Sequence, residues 1–85
     1  LEASIDRLTS SGVVPVSIGG DHSVSLPALR SVARRHGTLS LVHFDAHSDT
    51  WRSYFGGRKY SAGTPFRRGA EEGIIDPASS IQLGM

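Results

Sequence analysis

Residues 39–50 read Leu-Ser-Leu-Val-His-Phe-Asp-Ala-His-Ser-Asp-Thr, an apolar run of strand character that ends in Asp45, His47 and Asp49 at a spacing of two. In extended backbone, residues i, i+2 and i+4 face the same way. Two carboxylates and an imidazole would therefore converge at the end of a strand. Nothing apolar lies between them to pack, and a cation is the simplest reason for gathering them. A solvated turn with helix-capping acids is the plain alternative, and the buried-strand context tells against it.

The rest of the pattern places this segment in an α/β fold. Leu1, Ile5 and Leu8 mark one stripe of a helix over residues 1–10, stopped near Ser10-Ser11-Gly12. Val13 to Ile18 is β-branched and apolar on both faces, which predicts a fully buried strand of a parallel sheet. Pro15 within it lacks an N–H and implies a late start or a bulge. Gly19-Gly20-Asp21-His22-Ser23 then reads as a tight turn into a helix, with Ser25 as N-cap and Pro27 in the first turn. Leu26, Leu29, Val32, Ala33 and His36 are its expected inward stripe. Arg34 and Arg35 suit the negative end of the helix dipole, and Gly37 is a left-handed stop. Leu39 to Phe44 is the second buried strand, so the unit predicts a right-handed parallel βαβ crossover. A loop over residues 50–63 carries Trp51, Tyr54, Phe55 and Tyr60, suited to a substrate mouth or a subunit contact. Thr64-Pro65 opens a further helix to about Glu72, Asp76-Pro77 turns, and Ser80 to Leu83 predicts a third strand.

Both polar clusters follow a predicted strand. In open α/β sheets, ligands bind outside the carboxyl ends of the strands, so His22 is expected to meet Asp45, His47 and Asp49. Oxygen-rich ligands with imidazole and no sulfur favour a hard or borderline cation. Mn²⁺ suits them well, and Zn²⁺, Co²⁺ and Fe²⁺ also satisfy the pattern. Asp45, between the other ligands, is the natural bridge between two ions. Ions about 3.5–4 Å apart can hold a hydroxide that is nucleophilic near neutral pH. Four ligands do not close two sites, so at least one or two further carboxylates are required.

Other residues carry plainer readings. Asp21 reads as a turn residue or as a carboxylate orienting a ligand. His43, on the opposite face from Phe44, reads as a packed core histidine, and His36 as a helix C-terminal residue. Arg67-Arg68 reads as a solvated helix face before an anion grip.

Composition narrows the classes. The chain has 85 residues, 9 basic and 8 acidic, for a net charge of +1. That balance argues against nucleic acid and anionic membrane as partners. With no cysteine there is neither disulfide nor thiolate metal site, which fits a reducing cytoplasm. No apolar run approaches the roughly 18 residues of a membrane span. Leu1 begins mid-pattern and Met85 closes a strand-like run, so residues 1–85 read as one internal piece of a larger domain.

Three motifs together resemble the ureohydrolase family of arginases, agmatinases and guanidinobutyrases: Gly19-Gly20-Asp21-His22-Ser23, Phe44-Asp45-Ala46-His47-Ser48-Asp49-Thr50, and Gly63-Thr64-Pro65-Phe66-Arg67-Arg68. The third is nearer the agmatinase type. The resemblance implies a three-layer α/β/α fold with a parallel sheet, of which only a βαβ-containing portion is present. It implies a binuclear manganese centre and hydrolysis of a guanidino compound to urea and an amine. By position, His22 and Asp49 would bind one manganese, His47 the other, and Asp45 both. It also implies a homo-oligomer, trimer or hexamer, with a small guanidino substrate. The family's later Asp-x-Asp ligands are not among these residues. Agmatinase-like members usually carry His immediately before Gly-Thr-Pro-Phe; here that position is Ala62, which can neither shuttle a proton nor bond a substrate. A catalytically inactive relative with an incomplete metal site is therefore the second reading. A metallophosphoesterase is a third, although its motif order is reversed here and its Asn is missing.

Overall fold

The structure, a computed structural model, describes residues 1–51, 57, 60 and 63–85. Three helices and two short strands follow in the order α1 (Glu2–Thr9), α2 (Ser25–His36), β1 (Val42–Phe44), α3 (Pro65–Glu71) and β2 (Ile81–Leu83). The expected loop aromatics Tyr54 and Phe55, and Ala62, lie outside the described residues.

β1 and β2 form a parallel pair in the register Val42–Ile81, His43–Gln82, Phe44–Leu83, with an isolated parallel bridge between Leu39 and Ile75 upstream. The connection between the strands carries α3, so the architecture is α/β with a parallel sheet, as expected. The βαβ unit is not the expected one, however. Val13 to Ile18 forms no strand among the described residues, and Val16 and Ile18 are 88% and 98% exposed. The physical reason is the lack of a ladder partner. A β-branched run is held as a strand by neighbours on its edges, and among the described residues this one makes no ladder hydrogen bond: β1 pairs with β2 on one edge and takes no partner on the other. Pro15 removes one donor besides.

α1 and α2 pack on each other through a small polar seam. Ile5 and Thr9 of α1 are buried, as is Ser31 of α2, whose hydroxyl donates to the Glu2 carbonyl at 3.0 Å. The stripe of α1 is thus Ile5 and Thr9; Leu1 and Leu8, expected beside Ile5, are exposed. On the rim, Arg34 donates to Asp6 at 2.7 and 2.9 Å and pairs with Glu2. In α2, Leu26 is the buried member of the expected stripe and His36 is exposed. Gly37, at φ 83°, closes the helix as expected.

α3 packs against α2. Arg30 grips Glu72 through two nitrogens, at 2.8 and 2.6 Å, the two-pronged geometry that favours arginine over lysine. The pairing pushes the Glu72 carboxyl below its usual range. Pro65 and Phe66 are buried, and so is Arg68, which pairs with Glu71. The solvated face expected of Arg67-Arg68 therefore holds for neither completely: Arg67 is half-buried beside Glu71, and Arg68 is covered. Gly69 lets the chain double back, because a Cβ there would lie 2.6 Å from Ile75 Cδ1. No helix among the described residues is long and apolar enough to cross a membrane.

Candidate metal centre

The turn after Gly20 aims His22. The Asp21 carboxylate accepts from the Ser23 backbone N–H at 3.0 Å, capping a 3₁₀ turn over His22–Val24 that runs into α2. That bond holds the Asp21 carboxyl below its usual range. Asp21 is thus a turn residue, one of its two expected roles. His22 is left half-buried, with Nδ1 2.8 Å from Asp49 Oδ2 and 3.9 Å from Asp45 Oδ2.

Asp45 follows β1 directly. Its backbone N–H donates to the Leu83 carbonyl, 3.0 Å away, which carries the ladder one residue past Phe44. Its Oδ1 accepts from the His47 N–H at 3.0 Å. This bond, with help from His43, lowers the Asp45 carboxyl from its usual value and keeps it ionised. The chain bends there, so the extended-strand premise behind the spacing of two does not hold beyond Phe44. The consequence falls on His47, whose ring is turned outward and 78% exposed, with Nδ1 3.9 Å from Asp45 Oδ1. The structure gathers His22, Asp45 and Asp49 and leaves His47 on the solvent side of Asp45.

Asp49 is the most constrained of the group. It takes φ 53°, the left-handed region, and is the one non-glycine residue that does so among the described residues. Such conformers cost roughly 1–3 kcal/mol and persist where the surroundings enforce them. Its backbone carbonyl accepts from the Phe66 N–H at 3.3 Å. Its Oδ2 is buried with no hydrogen-bond partner: the His22 nitrogen is close but not aligned as a donor. A buried carboxylate oxygen left this way is costly unless something charged approaches it. That is the arrangement a cation would relieve, and the donor set of carboxylate oxygen and imidazole nitrogen fits one of intermediate hardness.

His43 completes the group. It is buried, as expected of a core histidine, but it also reaches the acids, with Nε2 3.2 Å from Asp45 Oδ2 and 3.7 Å from Asp49 Oδ2. One ligand atom each from His22, His43, Asp45 and Asp49 lies within 4.8 Å of every other. Phe66 is the wall beneath them, its ring centroid 5.4 Å from that of His22, edge-on, and 4.3 Å from that of His43. Beside the cluster opens a cleft of about 440 Å³ lined by Ser17, Gly19, Gly20, His22 and Asp45.

Two residues here escaped the sequence reading. Phe66 was visible only as part of the Gly-Thr-Pro-Phe motif. Gln82 had a fainter signal, a lone amide flanked by Ile81 and Leu83 in a predicted strand. Arg30 sits 5.7 Å from the exposed Tyr60 ring, and Trp51 is exposed.

Known proteins share this arrangement of chain. Guanidinopropionase of Pseudomonas aeruginosa is 47% identical over 85 residues, all of this chain and 26% of that protein. Agmatinase of Neisseria meningitidis is 48% identical over 85 residues and 27% of its length. Among solved structures, proclavaminate amidino hydrolase from Streptomyces clavuligerus superposes with a TM-score of 0.84 at 42% identity, over 99% of this chain and 28% of that one. Arginase from Medicago truncatula gives 0.87 at 34% identity, over 26% of its chain. The chain thus spans about a quarter of the length of these relatives. The family model described as Arginase family matches residues 1–85, and the chain belongs to the arginase family.

Proposed function

We propose that these residues form part of the metal centre of a ureohydrolase that cleaves a guanidino compound to urea and an amine. The observation that carries this reading is the buried Asp49 Oδ2, without a hydrogen bond, 2.8 Å from His22 Nδ1 and in one group of possible ligands with Asp45. The names of the relatives, guanidinopropionase and agmatinase, supply the substrate class.

In this reading His22 and Asp49 would hold one manganese ion and His47 would hold a second. Asp45 would contribute to holding both ions, as its two carboxylate oxygens lie 3.9 Å from His22 Nδ1 and from His47 Nδ1. Further carboxylates come from elsewhere in the complete protein. When bound, the two ions supply Lewis-acid activation of water for attack on the guanidinium carbon. The chain's own work is positional. The Asp45 turn keeps its carboxylate ionised, the 3₁₀ turn presents His22, and Phe66 packs against both imidazoles. The test is urea release from agmatine, 3-guanidinopropionate, 4-guanidinobutyrate and arginine by the complete, manganese-loaded natural protein. Release from at least one is expected; release from none refutes the proposal.

Ala62 favours a second reading, a metal-binding protein of low turnover. On the resemblance, the missing histidine is worth about 10²–10⁴-fold in rate. Ala62→His is therefore expected to raise kcat by a factor in that range with manganese stoichiometry unchanged. An unchanged kcat would show that a proton carrier before Gly63 is not needed.

A further inference from the structure

The strand beside the metal loop carries one polar side chain toward it, Gln82. Its amide nitrogen donates twice, to the Ser48 carbonyl at 2.6 Å and to His43 Nδ1 at 3.0 Å. The first bond settles which end of the amide points inward, because a carbonyl accepts and cannot donate. The same nitrogen then faces Nδ1, so Nδ1 must be the bare, accepting nitrogen of the ring. A neutral imidazole with a bare Nδ1 carries its hydrogen on Nε2. Nε2 is the atom 3.2 Å from Asp45 Oδ2.

We infer that Gln82 is a positioning residue for the metal centre, acting by locking His43 in the Nε2–H tautomer so that it donates to Asp45. The inference rests on the metal-centre reading above and adds an outcome for His43. A nitrogen bearing hydrogen offers no lone pair to a cation. His43, though it lies among the possible ligands, is therefore an outer donor that orients a ligand carboxylate. Gln82 restrains the loop at two points, at Ser48 through its carbonyl and at Asp45 through His43. The parallel register that sets His43 opposite Gln82 is what makes both bonds possible. The half-buried amide is otherwise a poor choice for a position flanked by Ile81 and Leu83.

The experiment uses the complete natural protein and its Gln82→Met variant, which keeps length and removes the donor. Long-range ¹H–¹⁵N spectra of the metal-free proteins read the His43 ring directly. The wild type is expected to show hydrogen on Nε2 and a bare, hydrogen-bonded Nδ1, whose resonance moves downfield in the variant. Manganese binding is expected to weaken by about 10–100-fold, the usual cost of losing a group that orients a ligand, with thermal unfolding of the metal-free protein little changed. Hydrogen on Nδ1 in the wild type overturns the inference, as does wild-type manganese affinity in the variant. A variant that fails to fold leaves the wild-type spectrum as the deciding measurement. A wild type that binds no manganese refutes the metal-centre reading, and the metal-free spectrum still reports separately on the Gln82–His43 bond.

Discussion

Asp49 concentrates the constraints on the site in a single residue, being buried, left-handed and without a hydrogen bond at Oδ2. Asn tolerates the left-handed region well and matches Asp in shape, so Asp49→Asn isolates the charge. That variant is expected to keep its fold and lose more than about 100-fold in manganese affinity, beyond the loss seen for groups that only orient ligands; isothermal titration reads it. Asp49→Val, by contrast, adds backbone strain of about 1–3 kcal/mol and should lower thermal stability as well. His22, Asp45 and Asp49 were legible in the sequence because each follows a strand or turn that the residues themselves announce. The two histidines of β1 and its loop were harder. Period-two reasoning put His47 in the cluster, but the His47 N–H bonds the Asp45 carboxylate and turns that ring outward. His43 was read as core packing, and it is, yet the acids that it contacts lie beyond the strand end.

At the level of elements, α3 is held from two sides. Gly69 packs under Ile75, so Gly69→Ala sets a gain in helix propensity of about 1 kcal/mol against an overpacking cost of roughly 1–3 kcal/mol. A net loss of about 1 kcal/mol is expected in denaturant melts. On the other face, Arg30 lowers the Glu72 carboxyl. A group with a depressed folded value stabilises fully above its unfolded value, and that contribution disappears as pH falls through the folded one. The α2–α3 clamp is thus intact at neutral pH and weakens below about pH 4. Both side chains are about one-third exposed, so the contribution is only about 0.5–1 kcal/mol. Glu72→Gln should narrow the stability difference between pH 7 and pH 3 by that amount. The helices were legible from their stops: Gly37 and Gly73 take positive φ where the periodicity ends. The first strand was not, because strand identity depends on partners that a local pattern cannot name.

Across the whole molecule, the radius of gyration of 12.6 Å is close to the ~12 Å expected for a compact chain of this length. Yet Val14, Val16, Ile18, Phe44 and Ile81 are all more than half exposed. Compactness is reached without covering these apolar side chains, a pattern that marks an interaction surface. These 85 residues expressed alone are expected to associate with rising concentration, and a Val16→Lys, Ile18→Lys double variant to associate less; sedimentation velocity decides it. The in-register pairing of His43 with Gln82 has a consequence in time. The two residues lie 39 apart in sequence, so the ribosome releases the ligand loop well before the strand that orients it. Until β2 docks, Gln82 can neither orient His43 toward Asp45 nor hold the Ser48 carbonyl, and cation capture is expected on the late side of the folding barrier. Interactions made after the barrier slow unfolding and leave folding rates alone. Manganese should therefore lengthen the lifetime of the native state without hastening its arrival.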